Sequence, residues 1–248
     1  MPVRNAPRGP FRLLGSLLLL VGILVGLSIA LASAWADFEG LSYFATGAGY
    51  APFGGLRCPV LITNLESGVA RARFDNPTTE VMEPFYEVDV SGPVRSRRSE
   101  GRIVVPARSS RGVAWAIDAR DVDLSPFVFV KMDVLPFAGF PTREDTCGIL
   151  VANLPGMGGE QILSVLLVVS LLGMAGGLVL PTLGLTPQQA ARYDAEAGTE
   201  RRRTAQALAL ATSAALLAGL EGWWLFAVAL SAVSVLLLVI ALRYVLMA

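Results

Sequence analysis

The chain has 248 residues, 54% hydrophobic and 16% charged, and its 20 basic and 20 acidic side chains cancel. Soluble domains carry about 25% charged residues, so the depletion points to a membrane protein, and the neutral balance gives no ground for a nucleic-acid partner. There is no histidine, which removes the commonest general base, metal ligand and pH switch.

The first apolar run, Leu13 to Trp35, follows a twelve-residue N-terminal segment, 1–12, that carries Arg4, Arg8 and Arg12 and no acid. A transmembrane helix needs about 20 apolar residues and a signal-peptide core about 7–15. The run therefore reads as transmembrane helix 13–35 with its N-terminus in the cytoplasm. Ala32-Ser33-Ala34 and Ala34-Trp35-Ala36 are small-x-small triplets, so a cleaved signal peptide is the competing reading.

Residues 36–56 form a Gly- and aromatic-rich connector with Tyr43, Phe44, Tyr50 and Phe53. It is either a structured linker or a partner-binding loop. Residues 57–155 then alternate in short stretches: CPVLIT, VARARF, FYEVDV, RIVVPA, GVAWAID, FVFVKMDVL and CGILVANL. Period-two alternation with β-branched and aromatic residues predicts strands. Asp75-Asn76-Pro77, Ser91-Gly92-Pro93, Ser109 to Gly112 and Ser125-Pro126 supply turns between them. About seven short strands at this spacing predict an all-β sandwich, placed outside the cytoplasm by the helix before it.

A second span, 162–185, carries Pro181 near its inner end. The loop 186–203 comes next, with a capping signal at Thr186, Pro187 and Gln189, a stop at Gly198, and Arg192, Arg201, Arg202 and Arg203 marking it cytoplasmic. The remaining apolar stretch is too long for one span. Glu221 and Gly222 offer a turn, which predicts a hairpin of helices 204–220 and 224–246 and returns the C-terminus to the cytoplasm. The fold class is thus a membrane protein with four transmembrane helices and one extracytoplasmic β-sandwich, in a cytoplasmic (inner) membrane.

The run ARARFDNPTTEVMEPFYEVDV, with RIVVPARSSRGVAWAID after it, resembles the immunoglobulin-like or fibronectin-like extracytoplasmic domains of bacterial surface proteins. The whole layout resembles bacterial multi-span membrane proteins carrying such a domain. The resemblance implies a sandwich and no activity. It departs at the cysteines. In an antibody-type domain they flank a core tryptophan on two interior strands, whereas here Cys58 opens the first predicted strand and Cys147 the last. Outside the cytoplasm these two would form a disulfide tying the ends of the domain together; two buried free thiols are the alternative.

Catalytic and cofactor signals are weak. Without histidine no Ser–His–Asp or Cys–His site can form, and a Ser–Lys dyad has only Lys131, which reads as a solvated strand residue. Gly156 opens GMGGE, which lacks the Lys-Ser/Thr of a phosphate loop. Asp118, Asp121 and Asp123 suggest calcium but match no EF-hand spacing, so a solvated turn is the other reading. The basic stretch Arg95 to Arg102 reads as a solvated hairpin or a contact for anionic lipid or an acidic partner. No cofactor, metal or small-molecule substrate is expected.

Small residues recur every fourth position inside the spans: Gly22, Gly26, Ala30 and Ala34; Gly173 and Gly177; Ala207, Ala211, Ala215 and Gly219. Such stripes let helices pack closely, within the chain or against another membrane subunit. The expectation is a non-catalytic integral membrane protein that displays its β-domain to a protein partner or serves as a subunit of a membrane complex. The alternative is an accessory component of a transport or envelope-biogenesis machine.

Overall fold

The computed structural model describes residues 10–45, 51–124, 126–135, 142–154, 156–182 and 199–246. The chain divides into two compact units, Met1–Leu31 with Ser164–Ala248, and Ala32–Leu163. Among the described residues there are four long helices: α1 (Pro10–Tyr43), α2 (Gly159–Val179), α3 (Thr199–Leu220) and α4 (Trp224–Leu246). Three are long and apolar enough to cross a membrane, over Leu13–Tyr43, Gly159–Val179 and Trp224–Ala241. The α3 helix is not among them. It opens on Thr-Glu-Arg-Arg-Arg, and Gln206, Thr212 and Ser213 interrupt its apolar remainder.

The helix boundaries differ from expectation in three places. Residues 36–43, assigned to the connector, continue α1. Ala36, Glu39 and Leu41 are good helix formers and no proline intervenes, so the loss of hydropathy at Asp37 ends the apolar stretch but not the helix. The helix stops past Tyr43, where Ala45 takes a left-handed φ of 50°. The second span starts earlier, at Gly159, and Val179 gives way to a 3₁₀ turn over Leu180–Thr182 that contains Pro181. Arg201–Arg203 belong to the first turns of α3 rather than to a loop. The expected caps at Thr186 and Gln189, the stop at Gly198, and Arg4, Arg8, Arg192, Tyr50 and Ser125 lie outside the described residues.

In the helical unit the expected turn joins α3 to α4. Gly222 adopts φ +77°, and the Trp223 N–H donates to the Ala218 carbonyl at 2.8 Å, closing the helix end as a left-handed glycine does.

The β-rich unit holds nine strands among the described residues: β1 (Ala51–Pro52), β2 (Leu56–Arg57), β3 (Leu61–Thr63), β4 (Ser67–Asp75), β5 (Phe85–Val90), β6 (Arg97–Arg102), β7 (Ser110–Asp118), β8 (Phe127–Val134) and β9 (Arg143–Ala152). They form a three-stranded sheet, β2-β4-β7, and a six-stranded sheet in the order β1-β9-β8-β5-β6. In the larger sheet β3 also lies along β9, parallel to it as β1 is. The chain therefore runs along β9, crosses to the other sheet for β2, and returns.

RIVVPA is not a strand. Pairing shifts the strand one segment earlier, to the polar RRSEGR of β6, which lies antiparallel to β5 with Tyr86 opposite Gly101. Val105 keeps only an isolated bridge to Met82. A charged edge strand is ordinary, since edge charge discourages further pairing. Ala70, Ala72, Phe74 and Ile117 of the smaller sheet meet Val88, Val90, Val128, Val130, Met132 and Ile149 of the larger in one apolar core. In VARARF the alanines and Phe74 point inward and the arginines outward, as strand alternation dictates. Trp115 is half-buried against this core, edge-on to Tyr86 at 5.7 Å.

Asn76 organises the turn after β4. Its buried amide donates to the carbonyls of Glu80, Val105 and Pro106, and its Oδ1 accepts from the Thr78 N–H and hydroxyl.

Candidate interaction surface

The crossing of β2 to the other sheet leaves part of the β9 edge without a strand partner among the described residues, between its pairings with β1 and β3. Exposed edge N–H groups require acceptors, and carboxylates provide them. Asp145 Oδ1 accepts from the Thr146 N–H at 3.1 Å, while its Oδ2 accepts from Gly54 and Leu56. Asp37, in the last turns of α1, accepts from the Gly148 N–H at 3.1 Å. The Gly148 position is in contact with the Ala36 backbone, so no side chain fits there. Tyr43 stacks on Phe129 with centroids 5.0 Å apart.

Burial pushes the Asp145 carboxyl above its ordinary range, and the three N–H donors together with nearby Arg57 oppose that shift. Glu66 Oε1 accepts from both Thr63 and Gly159, which fastens the first turn of α2 beside β3.

Cys58 and Cys147 are disulfide-bonded across this same edge, with Cα atoms 6.3 Å apart. Cys147 lies inside β9 rather than at the start of a strand, and Cys58 falls between β2 and β3.

The outer faces of the two sheets differ in charge. On the larger sheet, Arg98 forks onto Asp89 with both contacts at 2.9 Å and reaches Glu87 at 3.4 Å. The Asp89 carboxylate, hydrogen-bonded to it, raises the Arg98 pKa. Lys131 is not the solvated residue that its alternation suggests: its side chain is 20% exposed, and it pairs with Asp133 at 3.0 Å and Glu144 at 4.0 Å.

On the smaller sheet, Arg57, Arg71, Arg73 and Arg111 line a trough of about 620 Å³ whose floor includes Gly112 and Ala114. Arg71 and Arg111 form no ion pair among the described residues, and Arg73 pairs only with the exposed Asp75. Sequence reading missed this face. Its signal was present in the outward arginines of VARARF opposite the small residues of GVAWAID.

The aspartates of DARDVD act as local structure. Asp118 and Asp121 form a reciprocal cap around the 3₁₀ turn Ala119–Asp121, and Asp121 also takes Arg97 at 3.0 Å. Among the described residues no group of three His, Cys, Asp or Glu side chains is placed to hold a metal. The basic stretch from Arg95 is largely the edge strand β6, with Arg97 and Arg98 already engaged.

Within the helical unit most of the expected packing residues meet. A Cβ at Gly22 would lie 2.6 Å from the Met174 nitrogen, and one at Gly173 would lie 2.9 Å from the Gly22 Cα. Gly177 abuts Leu19, Gly26 faces Ser170 and Thr212, and a Cβ at Gly219 would lie 3.2 Å from the Ala30 backbone. Ala215 is buried and Ala211 half-buried, but Ala207 is exposed. The seam of α3 runs instead through Leu208, Thr212, Ala215 and Gly219, because a four-residue repeat drifts around a helix of 3.6 residues per turn. Ala34 is buried and falls to the β-rich unit rather than the helical one.

No protein-family model matches the chain, and a search of curated proteins finds no match. Among solved structures, a Paenibacillus sp. cycloisomaltooligosaccharide glucanotransferase is similar at 8% identity and TM-score 0.31, over 42% of this chain and 14% of that one. A β-glucosidase from Listeria innocua is similar at 10% identity and TM-score 0.30, over 39% and 15%. The chain spans about one seventh of these enzymes, and likeness at this level bears on neither fold family nor activity.

Proposed function

We propose that the protein is a non-catalytic integral membrane protein that presents its β-rich domain outside the cytoplasmic membrane to bind another protein, as a partner or as a fellow subunit of a membrane complex. One observation carries the reading: a disulfide-bonded β-domain is inserted in the chain between two helices of membrane-spanning length and composition. A disulfide persists in an oxidising compartment, and arginines dominate the segments assigned to the cytoplasm.

In this reading α3 is the fourth span. Its stretch from Thr204 to Leu220 reaches about 25 Å at 1.5 Å per residue, which a locally thinned bilayer accommodates. Its tight hairpin with α4 exposes Trp223 at one end, as an interfacial residue would be. The strand orders β2-β4-β7 and β9-β8-β5-β6 support an immunoglobulin- or fibronectin-like arrangement of the domain.

Purification in mild detergent from cells carrying a reporter fused after Ala248 tests this. The expected result is a stable protein partner and a reporter active only in the cytoplasm. A clean monomer without partner rejects the interaction reading. A partner that is a permease or an ATPase redirects it to an accessory role in transport or envelope biogenesis.

A further inference from the structure

Taking the β-domain as an interaction module, we propose that an extended acidic segment of the partner adds to the open edge of β7 and sets alternate carboxylates against Arg71 and Arg73. This deepens the function proposed above and rests on it.

Three observations converge. The first is unmatched charge. Arg71 has no carboxylate among the described residues, and the Arg73–Asp75 pair is exposed on both sides. Exposed pairs hold by about 1 kcal/mol or less, so an incoming carboxylate can displace Asp75. On the opposite sheet Arg98 and Lys131 are already matched by acids of the same domain, whereas Arg71 in the trough has no ion pair among the described residues.

The second is the edge. Along Ser110–Asp118, β7 pairs only with β4 among the described residues. Arg97 covers its far edge at one point, donating to the Ala116 carbonyl at 2.9 Å. The rest of that edge presents backbone groups in the arrangement that β-strand addition uses.

The third is the floor. Positions 112, 114 and 116, on the outer face of β7, hold Gly, Ala and Ala. Gly112 lies opposite Arg73 and Ala114 opposite Arg71 in the ladder. A strand added beyond β7 would have its outward side chains about 10 Å from the β4 backbone, two strand spacings away. Only small residues stand between, so an arginine from one side and a glutamate from the other meet over them. Arg71 and Arg73 are two residues apart, about 6.8 Å along the strand, and an extended peptide repeats its outward side chains at the same interval. Arg57, opposite Arg71 across the β2–β4 ladder, deepens the positive field.

The test uses the full chain in nanodiscs of zwitterionic lipid and a decapeptide of alternating threonine and glutamate as probe. The expected result is saturable binding that falls about tenfold or more when glutamine replaces glutamate, when Arg71→Glu and Arg73→Glu are combined, and when salt rises from about 50 to 300 mM. Arg95→Glu with Arg102→Glu alters net charge equally on other exposed positions and should leave binding unchanged. A shift in tryptophan fluorescence would expose a misfolded variant; Arg71→Gln with Arg73→Gln then serves in its place.

The proposal is overturned if the probe does not bind, if the glutamine peptide binds as well, or if the control pair weakens binding as much. It is also overturned if the arginine variants lose binding only to phosphatidylglycerol vesicles, which would make the face a lipid contact. A natural partner that still co-purifies with the Arg71/Arg73 variant removes this site and leaves the interaction reading intact. A wild-type chain that recovers no partner removes the underlying reading.

Discussion

Both units bring backbone against backbone at glycine, but they satisfy polar groups by different means. In the helical unit Gly22 and Gly173 let α1 and α2 approach, and the side-chain polarity nearby is hydroxyl. Ser170 donates to the Gly22 carbonyl at 2.8 Å, Ser28 and Ser234 return to their own helices, and the hydroxyls of Thr212 and Ser231 are buried without a partner among the described residues. In the β-rich unit Gly148 admits the end of α1, and the polar groups are carboxylates that accept edge N–H groups. A helix closes its backbone bonds internally, so it needs little from side chains. A sheet whose strand departs to another sheet leaves an edge, and Asp37, Asp145 and the disulfide occupy it.

The largest effect should come from removing the disulfide. Cys58→Ser with Cys147→Ser frees the edge from its covalent tie and should cost about 2–5 kcal/mol, read as a lower melting transition in detergent. Thiol labelling of intact cells should leave the native cysteines unreactive until a reductant is added. Ready labelling without reductant would break the assignment. Next comes Gly148→Val, whose side chain would overlap the Ala36 backbone. It should cost about 3 kcal/mol and speed hydrogen exchange across residues 36–40. Native-like exchange there would mean that α1 does not need this contact.

A smaller pair sharpens the helical side of the comparison. Gly22→Val should destabilise by about 2 kcal/mol, since its Cβ alone would meet the Met174 and Ser170 backbones. Ala207→Val, at an exposed position, should stay within about 0.5 kcal/mol. Equal losses at both sites would show that Ala207 packs against a second chain, as the sequence repeat suggests.

These contrasts also show what was legible in the sequence. Hydropathy located the apolar helices, because a membrane-length run needs no tertiary information. The alternation of VARARF and GVAWAID located β4 and β7 and their inward faces, because one side of each is buried. RIVVPA misled because composition alone cannot register a partner, and β5 pairs with the polar segment before it. β1 and β2 have two residues each, too few for any periodicity. The tail of α1 was invisible because Asp37 and Glu39 read as solvent-facing charge, whereas Asp37 serves an N–H distant in sequence, at Gly148. The arginine trough needed two strands in register, which no single stretch displays.

The smallest effect concerns Asp145 and is a slope rather than a loss. Burial raises its folded-state pKa above the unfolded value of about 3.9. Between those two values the folded chain holds more of this proton than the unfolded chain does, so stability falls as pH rises through that window. The Asp145 contribution is therefore most favourable below the unfolded pKa and stays reduced above the folded one. Asp145→Asn should remove this slope, although the amide keeps only one oxygen for the N–H groups of Gly54, Leu56 and Thr146. The variant should melt lower than wild type near neutrality, and the gap should widen on acidification toward pH 4, where the native carboxyl gains its proton. A gap that narrows on acidification would mean the carboxylate is favoured in the fold, and the β9 edge would then rest on charge rather than on hydrogen bonding alone.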